Sequence, residues 1–279
     1  MTNLSSLLPK LPSQSCFCAM TSGLNFLSVT KAKTPTHAVV ILPPFAEEMN
    51  KSRHIIKQST TQLAEHNYYS FMLDNYGTGD SEGDLDTATI ELWRTDLAIL
   101  MQQIANWGFQ SVSFIAIRFG ALQLFDFLNQ HSLPLPIKHL VLWQPMFDAG
   151  RFWQQFCRIK VAEAMASGDK VSQKQLEQQL EQGQIVEIAG YPITATFVQS
   201  ILQMKSTLPA VLNNSALSWF EISKLDNIAL PVQKVRDNLT EQCLLHFNQI
   251  KAEAFWQTTE LAKADQLIAL TVSQFAGVE

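Results

Sequence analysis

Four stretches of the chain are largely apolar over strand length: 37–42, 68–73, 112–117 and 137–143. They are rich in β-branched and aromatic residues, which predicts strands covered on both faces. Between them the apolar positions change to helical spacing. Ile55, Ile56, Leu63 and Ala64 mark a helix over 52–67. Leu92, Trp93, Leu97, Leu100, Met101 and Ile104 mark a longer one over 87–108, and a third runs over 119–128. Two short runs, 15–20 and 24–30, flank Thr21-Ser22-Gly23 and predict a hairpin. Residues 1–10 lack a clear period and predict a loose tail; 31–36 form a polar link.

Strands alternating with helices of this length predict an α/β fold, with a mostly parallel sheet and helices on both faces. After the sixth strand the alternation stops. Helices are expected over 152–167, 172–182 and 194–204, broken at Gly183 and at Gly190-Tyr191-Pro192. Alternation resumes with a strand at 217–222, a helix starting within 231–238, a last strand at 246–254 and a closing helix over 259–275. The expected organisation is a core of 1–149 and 209–279 with a helical cap, or lid, over 150–208. In open α/β sheets ligands bind at the carboxyl ends of the strands. Those ends carry residues 43–50, the Gly- and Asp-rich turn 74–83, Arg118, and residues 144–148.

Composition narrows the picture. The 279 residues are 47% hydrophobic and 16% charged, enough for one large globular core. A net charge of -5 gives no reason to expect nucleic acid as a partner. Cys16, Cys18, Cys157 and Cys243 are too scattered for a disulfide framework, and Cys16-x-Cys18 lacks the second pair a zinc site requires. A cytoplasmic protein with reduced thiols and no metal or cofactor is expected. There is no apolar run of membrane-spanning length and no signal-peptide pattern.

The stretch 112–122 reads as a strand, a sharp turn at Arg118, and a helix. Its Ala116-Ile117-Arg118-Phe119-Gly120 resembles the nucleophile elbow of α/β-hydrolases, in which a Ser fills the central position of G-x-S-x-G. The Asp74-x-x-Gly77-x-Gly79-x-Ser81-x-Gly83 turn and the mid-chain insertion fit the same superfamily. Pro43-Pro44-Phe45-Ala46-Glu47-Glu48-Met49-Asn50-Lys51-Ser52-Arg53 is similar to the signature of the exosortase A system-associated hydrolase 2 family. Arg118, Gly190-Tyr191 and Phe255-Trp256-Gln257-Thr258 fit that family too, over about 16–271. The resemblance implies an α/β-hydrolase fold in a bacterial cytosolic protein, encoded beside exopolysaccharide production and the sorting of proteins to the envelope.

The chemistry implied by the fold is incomplete in the sequence. Arginine stays protonated and serves neither as nucleophile nor as base. A triad acid is available in Glu221 or Asp226, but the segment after the last strand offers Phe255, Trp256 and Gln257 where a His is needed. His246 starts that strand instead of following it. Ser81 is expected to bond its own turn, and His54 to be a helix-surface residue. Glu47, Glu48, Asn50, Lys51 and Arg53 form a dense polar group. Arg118 is expected to pair with Glu47 or Glu48, and a ligand carboxylate or phosphate can share the guanidinium. The candidate chemical residues are Glu47, Glu48 and Arg118. Asn50, Lys51, Asp74, Phe119, Gln144 and Trp256 are the candidate ligand contacts. The expectation is a non-classical or non-catalytic member binding a small anionic or acyl ligand. The alternative is a hydrolase or acyltransferase rebuilt from Glu47, Glu48, Asn50 and Arg118. A protein partner or a homodimer is compatible with either.

Overall fold

The computed structural model describes residues 10–276 apart from 22, 35, 214, 215 and 259, so all but the last residue of the tail expected over 1–10 lies outside the described residues. Eight strands form one sheet: β1 (Cys16–Ala19), β2 (Leu24–Thr30), β3 (His37–Leu42), β4 (Tyr68–Leu73), β5 (Ser111–Ile117), β6 (Ile137–Trp143), β9 (Ala216–Ile222) and β10 (Leu244–Ile250). Their order is β1-β2-β4-β3-β5-β6-β9-β10. The β1–β2 and β2–β4 pairs are antiparallel, and every pair from β4 to β10 is parallel. The inner strands β4 and β5 are buried along their whole length, as strands covered on both faces must be.

On one face, α1 (Glu47–Glu65) and α8 (Asp265–Ala276) cover Ile41, Ile115, Val141 and Phe220 through Ile55, Leu63, Leu267 and Ile268. On the other, α2 (Ile90–Asn106) and α3 (Phe119–Gln130) cover Val40, Phe114 and Leu142 through Leu97, Leu100, Leu124 and Phe125. Helix α7 (Leu230–Thr240) packs beside β10. A third apolar cluster lies beyond the strand ends. There Phe45, Trp93 and Phe119 of the sheet-and-helix body meet Phe152, Phe156, Ile188 and Phe197 of the segment that links β6 to β9. Each fully buried side chain of this size contributes roughly 1.5–3 kcal/mol, so the linking segment is held down chiefly by apolar contact.

That segment departs from the sequence expectation. It contains α4 (Ala149–Ala166), α5 (Gln173–Glu181) and α6 (Ala195–Leu202), but also the hairpin β7 (Val186–Ile188) and β8 (Tyr191–Ile193). The two turn residues, Ala189 and Gly190, both have positive φ, 53° and 80°. That is the geometry of a tight two-residue hairpin turn, whose twist matches its strands. Three-residue strands are too short to show a period, and Gly190-Tyr191-Pro192 reads as a breaker when it is a turn and an edge strand. Its last residues are tied to the body by Asp126, which accepts Lys205 N–H at 2.8 Å and pairs with Arg94 at 2.7 Å.

Three other boundaries differ. Helix α1 begins at Glu47, five residues before the predicted start, because the apolar period begins late while the first turn is polar. The last strand spans 244–250 instead of 246–254; its alternating exposure leaves Leu244 at the surface. The closing helix begins at Asp265.

Candidate functional site

Strand β5 ends at Ile117, and Arg118 turns the chain sharply into α3. Its backbone sits at φ 55°, ψ -117°. A non-glycine residue held there costs on the order of 1–3 kcal/mol. Neighbours fix the turn: Arg118 N–H donates to the Trp143 carbonyl at 3.0 Å, and its own carbonyl accepts from Met146 and Ala121, each at 3.1 Å. Gly120 makes the turn sterically feasible. A Cβ there would lie 2.1 Å from the Leu42 carbonyl oxygen. The start of α3 therefore packs directly onto the end of β3. A matching turn lies opposite, where Ala46 precedes α1 at φ 54°, ψ -130°.

The two turns bring two helix N-termini to one place. Both carry positive partial charge, and a guanidinium set there needs an anion. Glu48, in the first turn of α1, supplies it. Arg118 Nε donates to Glu48 Oε2 at 3.2 Å, and Nη2 donates to Oε1 at 3.1 Å. The Arg118 carbon Cζ lies 4.8 Å from the centroid of the Trp256 ring, which closes one side of the guanidinium. Arg118 is 8% exposed, while the Glu48 side chain is 26% exposed. Nη1 makes no hydrogen bond to any described residue.

Above this pair opens a cleft of about 900 Å³. Phe45, Met146, Phe152, Phe156, Ile159 and Trp256 give it apolar walls; Arg118, Lys51 and Arg158 bring positive charge, and Glu47, Glu48 and Glu163 negative charge. No Ser, Cys or His lines it among the described residues. Glu48, Arg118, Lys51 and Trp256 converge here with Glu47. Lys51 donates to the Gln257 carbonyl at 3.3 Å. Asn50 stands behind Glu47, donating to its Oε1 at 3.2 Å, and faces a separate polar depression. The contributions of α4 and of Ala189 in the hairpin turn were not legible in the sequence; only the apolar stripe of α4 signalled them.

Three of the expected contacts do not line the cleft. Asp74 is fully buried away from the cleft: it pairs with Arg53 at 2.7 Å and accepts Asp80 N–H at 3.1 Å. Phe119 is buried in the aromatic cluster, 4.5 Å from Phe152 between ring centroids. Gln144, at φ 44°, is turned toward Glu221, to which its Nε2 donates at 2.8 Å. Ser81 bonds its own turn, donating to the Asp74 carbonyl and accepting from Phe26 N–H. Ser52 donates to the Glu48 carbonyl, and His54 Nε2 reaches the Ala262 carbonyl at 2.7 Å.

The choice between the late acids resolves on position. Asp226 is exposed and pairs with Lys251. Glu221 is buried at the end of β9 and also accepts from Trp219 Nε1 at 3.0 Å. Burial pushes its carboxyl above the ordinary range, opposed by the bonds from Gln144 and Trp219 and by the charge of Arg118. His246 sits near the start of β10, exposed, at the far end of the strand from the cleft.

Residues 33–189 match the family model for serine aminopeptidase, S33. The chain belongs to that family. Solved structures agree on the fold. DcsB, in a complex with its substrate analogue, is similar over 95% of this chain and 98% of its own, with a TM-score of 0.61 at 12% identity. The α/β hydrolase GrgF from Penicillium sp. sh18 is similar over 95% and 99%, with a TM-score of 0.61 at 10% identity. Est1E from Butyrivibrio proteoclasticus, with bound ferulic acid, is similar over 93% and 97%, with a TM-score of 0.58 at 11% identity. No curated protein matches in sequence. This S33-family chain thus has the α/β-hydrolase fold, with an arginine at the elbow turn. No described helix is long and apolar enough to cross a membrane.

Proposed function

We propose that this chain is a binding member of the fold, in which the elbow presents a cation to a small anionic or acyl ligand in place of a nucleophile. The observation that carries the reading is the state of Arg118. Two of its nitrogens are committed to Glu48, its face rests on Trp256, and Nη1 is left for a further acceptor beside an apolar cleft. A ligand carboxylate or phosphate completes the guanidinium's hydrogen bonds, and charge-assisted bonds of this kind are the strong ones. The ligand's apolar part lies against Phe45, Phe152 and Phe156. In this reading the segment 149–204 is the lid over the ligand, held by the same aromatic cluster.

The alternative is a hydrolase or acyltransferase using Glu47, Glu48, Asn50 and Arg118. It fits less well. Both oxygens of Glu48 are bound to Arg118, Glu47 is held by Asn50, and Glu221 and Asp96, whose carboxyls burial pushes up, do not line the cleft. Acyl-serine chemistry needs a neutral hydroxyl beside a base, then an oxyanion held by amides. Among the described residues the cleft walls supply neither hydroxyl nor imidazole. The resemblance carried by residues 43–53 extends the proposal: a bacterial cytoplasmic protein serving exopolysaccharide production and envelope sorting. What supports that extension is the similarity of this string, whose Glu47, Glu48 and Lys51 line the cleft.

The test is labelling of the intact chain with a serine-directed fluorophosphonate, followed by mass measurement. The expected result is no adduct, and none after Arg118→Ser, because triad members act as a unit. A stoichiometric adduct on Ser52, Ser81 or another serine overturns the binding reading.

A further inference from the structure

The two cysteines of β1 lie far from the cleft in sequence and take no part in it. Cys16 and Cys18 are two residues apart on an extended strand, so both side chains leave the same face. Their sulfurs are 3.8 Å apart, and both thiols are free and half-buried. Phe17, between them, points to the other face and packs on Phe26. Cys18 and Met20, two residues further on, both pack against the larger apolar cluster of the sheet.

This spacing lies at the edge of what a disulfide spans and suits chelation. Residues two apart on a strand are separated by about 6.6 Å between Cα atoms, at the upper limit of what a disulfide spans. With metal–thiolate bonds of about 2.3 Å, a 3.8 Å separation gives a sulfur–metal–sulfur angle of about 110°, with no strain in the strand. The donor set then selects the ion. Structural zinc takes four ligands, and no group of three or more His, Cys, Asp or Glu is assembled among the described residues. Thiolate and thioether donors in low number suit copper(I).

We propose that Cys16 and Cys18, with the Met20 thioether as third donor, form a binding site for one copper(I) ion. On binding, both S–H bonds break, the two protons leave to solvent, and three sulfur–copper bonds form, two from the thiolates and one from the neutral thioether. The loaded site then carries one net negative charge. No electron is transferred. Metal binding displaces the thiol protons, so affinity rises with pH. The other two cysteines are no competitors, since Cys157 and Cys243 are buried singly.

The test is an anaerobic titration of the reduced full chain against copper(I) held by bathocuproine disulfonate. The expected result is one copper withdrawn per chain. Affinity falls at least 100-fold in the Cys16→Ser/Cys18→Ser variant and roughly threefold to tenfold in Met20→Leu. Zinc(II) at the same concentration is retained far less. Thiol counting on the unaltered chain is independent of whether the variants fold: copper loading protects two thiols from a disulfide reagent. Equal withdrawal by the parent and the double variant overturns the proposal, as does protection of only one thiol or loss of copper on Cys157→Ser.

Discussion

The carboxyl edge of the sheet holds two arginine–carboxylate pairs with opposite roles. Arg53–Asp74 is a lock. Asp74 is fully buried, its pair is 2.7 Å long, and the same oxygen takes the Asp80 N–H. Gly79 is required beside it, since a Cβ would lie 2.1 Å from Asp74 Oδ2. The backbone carbonyl of Asp74 is also bound, by Asn25 and Ser81. Arg118–Glu48 is longer, at 3.1 Å and 3.2 Å, stands at an open cleft, and leaves one guanidinium nitrogen unused. The two pairs differ in what they border: Arg53 opens on a separate polar depression, Arg118 and Glu48 on a cleft with apolar walls. In the lock the carboxylate is fully buried, and Arg53, 30% exposed, does not line the cleft.

The comparison yields predictions of decreasing size. The largest concerns the frame beneath Arg118. Gly120→Ala drives a Cβ into the Leu42 carbonyl, and unfolding by denaturant should show a loss of about 3 kcal/mol or more. Asp74→Ala removes the lock and leaves Arg53 and Asp80 N–H without their acceptor. It should cost about 3 kcal/mol while leaving ligand affinity per folded molecule unchanged. Arg118→Ala should cost less stability, about 1–2 kcal/mol, because Glu48 can reach water when left alone. Equal losses for Asp74→Ala and Arg118→Ala, both without effect on binding, would erase the contrast between the pairs.

Glu48→Gln sharpens it further. Removing the carboxylate charge frees the guanidinium, and affinity for an anion should rise several-fold, whereas Asp74→Asn should leave it unaltered.

The smallest effect belongs to neither pair. Burial, with help from Lys138 and His37, lowers His139 from 6.5 to about 4. Between those values the unfolded chain binds the proton and the folded chain does not. Stability is therefore full above about pH 6.5 and declines as pH falls toward 4. The loss is no more than about 2 kcal/mol, since the ring is only partly shielded. His139→Phe should flatten this part of the stability–pH curve, measured by thermal unfolding.

What was legible in the sequence follows from local physics. The long apolar runs announced the inner strands, and the small-residue frame of Ala116 and Gly120 announced the elbow. A permanent cation among close acids announced a pair, though which acid took part depended on the helical phase of α1. The boundaries and contacts that escaped depend on neighbours distant in sequence. The start of α1 at Glu47 has no capping side chain to signal it. The β7–β8 hairpin is too short to carry a period. Asp74 and Gln144 are polar residues at strand ends, and nothing in their local sequence distinguishes facing a ligand from facing Arg53 or Glu221.

The most direct test of the account is calorimetric titration of decanoate and of its uncharged isostere decanamide into the parent chain and Arg118→Ala. The account predicts that decanoate binds the parent and loses roughly 10- to 100-fold in affinity on Arg118→Ala, the equivalent of one charge-assisted contact, while decanamide distinguishes the two proteins by less than about twofold. Decanoate binding equally to both, or to neither, would contradict the claim that the elbow arginine is the anion-binding element of this fold.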